Sequence, residues 1–191
     1  MERLRTFIAV GLDDALRDRA IGLQEKLAAT GAQVKWVEPE NLHVTLLFLG
    51  EVGERDLVDV CRAVTEACSR QSRFSLSLEG VGCFPNARRP RVIWAGIGEG
   101  GQELCDLHDS LEQPLLELGC YRREERHFTP HITLGRVKNE GTNDELVKSL
   151  EKLHKWKGGV MQAREVLVMS SELTPKGPAY AVMSRGRFTS E

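Results

Sequence analysis

The spacing of apolar and polar residues changes period several times along the chain, and each change predicts an element. "RTFIAVGL" (5–12) is a run of strand-forming residues closed by "DD". Behind it Leu16, Ala20, Leu23 and Leu27 recur at helical spacing, with Asp13 placed to cap the helix. "AQVKWVEP" predicts a short strand stopped by Pro39, and "LHVTLLFLG" a strongly apolar strand ending at Gly50. Leu57, Val60, Cys61, Val64 and Cys68 then restore the helical period. In "RFSLSLEGVGCF", Phe74, Leu76 and Leu78 alternate with Ser75, Ser77 and Glu79, the pattern of a half-buried strand. "RVIWAGI" predicts the next strand, after the turn-rich "PNARRP".

The second half repeats the theme. "QELCDLHDSLEQPLLELG" is helical, with Pro114 expected to kink or divide it. "HFTPHITLGRV" gives a strand from about residue 130, "NDELVKSLEKLHKW" a helix, and "AREVLVMSSEL" and "AYAVMSRGRF" two strands joined by a turn at "TPKGP". Helices and strands interleave, but alternating faces and short turns favour antiparallel pairing over a fully buried parallel sheet. The expected fold class is α+β: a single bilobal domain over residues 1–191, with two pseudo-symmetric lobes.

Composition narrows the function classes. The chain is 41% hydrophobic and 28% charged, an ordinary globular balance. Its formal net charge of −2 supplies no general field for a polyanion, so any nucleic-acid contact must be local. "FIAVGL" is too short for a signal-peptide core, and no stretch nears the roughly 20 apolar residues of a membrane span. The five cysteines (Cys61, Cys68, Cys83, Cys105, Cys120) lack any C-x-x-C spacing. They predict packed, reduced thiols in a cytoplasmic protein, not a disulfide framework or zinc ribbon.

Candidate chemistry lies in a repeat. "LHVTLLF" (42–48) and "PHITLGR" (130–136) each set a His, a β-branched residue, a Thr and a Leu in the same order. On a strand, residues i and i+2 share a face, so His43 projects with Thr45 and His131 with Thr133. Val44, Leu46 and Phe48, like Ile132 and Leu134, are expected on the core side. One such motif alone reads as a satisfied core histidine. Two of them, related by a two-fold axis, would bring four polar groups to one groove.

Two histidines on opposite sides of a phosphorus can divide the work of acid and base near neutral pH. Threonine hydroxyls can donate to the phosphate oxygens whose charge grows in the transition state. A cyclic phosphodiester, with its leaving oxygen held in fixed geometry, suits that arrangement, and no metal or cofactor is required.

"ENLHVTLLFLG" and "HFTPHITLGR" resemble the two signature motifs of the two-histidine (2H) phosphoesterases. The nearer likeness is to the RNA 2′,3′-cyclic phosphodiesterases, first known as 2′-5′ RNA ligases. It extends through "RTFIAVGL", "GCFPNARRPRVIWAGI" and "SSELTPKGPAYAVM". The resemblance implies a bilobal fold with antiparallel sheets lining a central groove and helices outside. It also implies opening of a 2′,3′-cyclic phosphate to a 2′-phosphate, with His43 as general acid and His131 as general base. A reverse 2′-5′ ligation would exchange those roles, and the residues alone do not assign them. The end "SRGRFTSE" departs from the pattern, lacking an apolar finish and leaving the last strand's boundary open.

Arg136, five residues after His131, is where the family pattern also has Arg. On an ideal strand it faces away from His131 unless Gly135 permits a twist or bulge; at the groove rim it could pair with phosphate or stack on a base, and otherwise it reads as a surface ion pair. Phe7 could stack on a nucleobase or belong to the core. Arg88, Arg89 and Arg91, and Arg122, Arg123 and Arg126, form local basic clusters, the second of them diluted by Glu124 and Glu125. His127 and His131 have a helical metal spacing that Pro130 argues against; His108 and His154 read as structural, and Trp94, in an apolar strand, as core. The expected partner is RNA ending in a 2′,3′-cyclic phosphate, bound by a monomer away from any membrane. The rivals are a small cyclic phosphate, such as one on an ADP-ribose derivative, and a non-catalytic module that binds RNA ends.

Overall fold

The computed structural model describes residues 3–123, 127–138, 143–175 and 177–190. Its elements are β1 (Arg3–Gly11), α1 (Asp14–Ala28), β2 (Val34–Trp36), β3 (His43–Gly53), α2 (Glu54–Ser69), β4 (Phe74–Phe84), β5 (Val92–Ile97), α3 (Gly101–Glu117), β6 (His131–Val137), α4 (Asp144–Lys152), β7 (Lys157–Ala163), β8 (Glu165–Thr174) and β9 (Gly177–Arg187). A single 3₁₀ turn, Pro39–Asn41, leads into β3.

The fold is α+β, with one antiparallel sheet in the order β7-β4-β5-β6-β3-β1-β8-β9 and β2 added beside the end of β6. The junction between β6 and β3 divides it into two four-stranded lobes. Helices α2 and α3 pack on the β3–β1–β8–β9 side, and α1 and α4 on the other. Sequence halves and lobes do not coincide. The strand after α2, β4, crosses to pair with β5, and the strand after α4 and β7, β8, crosses back to pair with β1. Each half of the chain thus builds part of both lobes, which ties them through one apolar core.

Local chemistry explains the elements. Asp13 Oδ1 accepts from the Leu16 amide at 2.8 Å, and Leu16, Ala20, Leu23 and Leu27 are all buried. Asn143 caps α4 in the same way. Helix α3 runs through Pro114 as one element, so of the two expected effects the proline does not divide it. The proline lies within a turn of the helix end, where it removes little of the hydrogen-bond ladder.

Strand β7 is absent from the sequence reading. Its Gly158–Gly159 pair and exposed Val160 hide the strand pattern, but Gly158 is required because the Trp156 ring lies where a Cβ would stand. The C-terminal boundary left open by the sequence falls late: β9 continues through "SRGR", and Phe188 is buried against Phe74 at 5.6 Å. The turn at "TPKGP" contains Lys176, which lies outside the described residues. All five cysteines carry free thiols, and burial pushes that of Cys68 up to about 12.

Candidate active site

One backbone pairing assembles the site. Val44 of β3 faces Ile132 of β6, and both are fully buried. In antiparallel register the flanking residues are then His43 beside Thr133 and Thr45 beside His131, on the opposite face of the sheet. The four expected side chains therefore share one face at the lobe junction, while Val44 and Ile132 anchor them from below.

Both imidazoles are oriented by the same device. His43 Nδ1 lies 2.7 Å from the Asn41 carbonyl, and His131 Nδ1 lies 2.6 Å from the Thr129 carbonyl. A carbonyl oxygen only accepts, so each Nδ1 carries the hydrogen and each Nε2 is left to take or give a proton. His43 Nε2 lies 2.9 Å from Thr45 Oγ1. Burial lowers the His43 pKa from its ordinary 6.5, and the bond to Asn41 offsets part of that effect.

Aromatic rings flank each histidine. Phe7 stacks on His43 at 5.0 Å and Tyr180 meets it edge-on at 5.6 Å. On the other side Phe84 meets His131 edge-on at 5.2 Å, and Trp94 stands 6.3 Å away. Phe7 is only 3% exposed, with His43 and Tyr180 against its ring. Trp94 is half-buried on the His131 face and is not the core residue the sequence suggested.

The repeated Leu has its own role. In β3 the pairing with β1 steps from Thr45 to Leu47, and in β6 the pairing with β5 steps from Thr133 to Gly135. Leu46 and Leu134, the fourth residues of the two motifs, are thus bulged and buried. A bulge reverses the facing of the residues that follow it, up to the next irregularity. Arg136 accordingly pairs opposite Val92, on the same face as Trp94 and Thr133.

The corresponding residue of the first motif, Phe48, also turns out of the core. It is 42% exposed, with the Arg5 guanidinium 5.0 Å over its ring, which corrects its expected core placement. The Leu134 carbonyl freed by the bulge accepts from the Val37 amide and from the buried Gln24 side chain, each at 2.9 Å.

The charges near Tyr180 show how the lobes meet. Burial raises its phenol pKa, while Arg136 from one lobe and Arg5 from the other draw it down. Arg136 and Arg5 thus approach Tyr180 from opposite lobes.

Among the described residues no group of His, Cys, Asp and Glu is arranged to hold a metal, and His127 stands apart from any such group. His108 stacks on Phe128 at 4.5 Å, and His154 bonds the Glu151 carbonyl at 2.6 Å. The Arg88 and Arg89 amides bond Asn86 Oδ1, and Arg123 pairs with Glu112; Glu124, Glu125 and Arg126 lie outside the described residues. Among the described residues no helix is long and apolar enough to cross a membrane. Tyr180, Phe84, Phe48 and Trp94 are the neighbours that sequence patterning missed. Their only signal was an aromatic ring on an alternating strand, which core residues share.

The sequence model of the LigT-like phosphoesterases matches residues 10–94 and residues 97–180, and each stretch contains one of the two motifs. The chain belongs to that family. Its relatives include a protein of Methanothermobacter thermautotrophicus, 41% identical over 95% of this chain and 97% of its own, and one of Archaeoglobus fulgidus, 42% identical over 93% and 96%. Both are named RNA 2′,3′-cyclic phosphodiesterase. Among solved structures, TT0787 of Thermus thermophilus superposes with a TM-score of 0.82 at 28% identity, covering 97% of this chain and 98% of that one. The apo form of E. coli LigT gives 0.79 at 26% identity, covering 99% of both. This LigT-like phosphoesterase has the 2H fold, with its two motifs on the strands that join the lobes.

Proposed function

We propose that this phosphoesterase opens 2′,3′-cyclic phosphates at RNA ends to 2′-phosphates without a metal, using His43 and His131 as its acid–base pair. The observation that carries the reading is the matched tautomer lock: each Nδ1 is held on the carbonyl two residues earlier, which leaves both Nε2 atoms for proton transfer. The names of the two relatives above support the substrate class. The chain acts as one bilobal domain, with one motif per lobe.

His131 Nε2 takes a proton from water as the water oxygen bonds to phosphorus. The P–O3′ bond breaks, and His43 Nε2 gives its proton to O3′, leaving the phosphate on O2′. Thr45 and Thr133 donate to the non-bridging oxygens, and Arg136 stands at the groove to neutralise them. Burial makes a protonated His43 a readier donor, and a bound phosphate anion restores its affinity for that proton. Reverse ligation exchanges the two roles.

The test is hydrolysis, in EDTA, of an oligonucleotide ending in a 2′,3′-cyclic phosphate, with the product identified. Wild type should yield a 2′-phosphate, and His43→Ala and His131→Ala should each lose at least ~10²-fold. A bridging 3′-thio substrate, whose leaving group needs no proton, should rescue His43→Ala and not His131→Ala. Faster turnover of an ADP-ribose cyclic phosphate would move the activity to small substrates. Binding without turnover in all three proteins would overturn the enzyme reading.

A further inference from the structure

From His43 and Tyr180 a groove of about 660 Å³ runs across the β1–β8–β9 face to the corner where β7 turns into β8. Its floor is apolar, formed by Ala9, Leu167, Met169 and Val182, and its far end is basic. Arg73, Arg164 and Arg187 line it there. The Phe188 amide bonds the Arg164 carbonyl at 2.8 Å, the Arg73 amide bonds the Thr189 carbonyl at 3.3 Å, and Arg187 pairs in register opposite Glu165. All three arginines are exposed, and none has an ion pair among the described residues. Arg185 and Arg17 also line the groove, but they are engaged by Glu165 and Asp14. The remaining carboxylates on its wall are Asp13, used as a helix cap, and Glu40.

A bulge in β9 aims this end. The β8–β9 pairing steps from Val182 to Ser184, leaving Met183 unpaired. Tyr180 and Val182 face the groove before the step, and Arg185 and Arg187 face it afterwards. Ser184 and Gly186 turn instead to the helix side, where Ser184 lies by Cys61 and Gly186 packs on Cys68. An unbroken strand would have sent both arginines against α2. From Tyr180 to Arg187 the strand spans about 23 Å at strand rise, the reach of several nucleotides.

We infer that this groove binds the single RNA strand leading up to the cyclic end, with its phosphates on Arg73, Arg164 and Arg187 and its bases over the apolar floor. The inference rests on the proposed action at RNA ends and makes the preferred substrate an oligonucleotide, not a mononucleotide. A chain of net charge −2 holds a polyanion only where cations lack partners, and this corner is such a place.

The test compares adenosine 2′,3′-cyclic phosphate with a hexanucleotide ending in the same group. The proteins are wild type, the triple variant Arg73→Gln/Arg164→Gln/Arg187→Gln, and the charge-keeping Arg→Lys triple, each checked by thermal melting. Wild type should show a higher kcat/KM on the hexanucleotide. The Gln triple should lose about tenfold or more of that advantage through KM, with the mononucleotide rate unchanged, and the Lys triple should retain most of it. Binding of a 5′-labelled, 3′-phosphorylated hexanucleotide is measured in parallel, so the groove is tested even if no cyclic substrate turns over. The log–log slope against salt should become shallower by about 2 in the Gln triple. An unchanged slope and KM, or equal losses on both substrates, would overturn the inference.

Discussion

Val44 and Ile132 face each other as a single register pair between β3 and β6, and both are wholly buried. This contact positions the groove, because each residue lies between a His and a Thr of its own motif. The histidines therefore meet only as well as these two aliphatic side chains pack.

Ile132→Ala should cost about 2–5 kcal/mol of stability, as a buried aliphatic truncation does, while Ile132→Val should cost about 0.5–1.5 kcal/mol. The site's dependence on the junction appears in a second readout. Ile132→Ala, assayed well below its melting temperature, should lose kcat, whereas a truncation of similar cost far from the junction, such as Leu27→Ala, should not. Urea unfolding and steady-state kinetics on the two variants check this, and equal kcat in both would show that the junction does not tune the site.

Burial of His43 has a consequence for stability. Its folded-state pKa lies below 6.5, so as pH falls through 6.5 the unfolded chain takes up the proton first. Stability contributed by the neutral, buried ring is fully present above that pH and declines below it, until the folded state protonates as well. His43→Gln should therefore show a smaller drop in melting temperature between about pH 7.5 and 5.5 than wild type. A parallel decline in both proteins would assign the acid sensitivity to other groups.

Gly82 lies beneath Trp94, where a Cβ would stand 2.2 Å from a ring atom. The indole cannot keep its place over an alanine. Gly82→Ala should displace Trp94 from the His131 side of the groove, shift the tryptophan emission and lower activity, with a smaller effect on the melting temperature than Ile132→Ala. Wild-type emission and activity in this variant would mean that the backbone of β4, and not the indole, gives way.

Much of this was legible in the residues. Strict alternation at Phe74, Leu76 and Leu78 and helical spacing from Leu16 to Leu27 marked which faces are buried, because burial itself follows those two periods. The pairing of His with Thr at i+2 depends only on strand geometry. Phe7 and Trp94 were harder, since a ring in an apolar strand has the same pattern whether it packs into the core or against a histidine at the groove.

The sequence by itself determined the α+β class, the Asp13 cap of the first helix, and the two His-x-Thr faces, all of which follow from local patterns along the chain. Tertiary structure decided the rest. Bulges at Leu46, Leu134 and Met183 reversed the facing of Phe48, Arg136, Arg185 and Arg187, and a bulge exists only relative to the strand opposite. The meeting of the two motifs is likewise a property of β3 beside β6, a contact between residues far apart in the chain that no local pattern encodes.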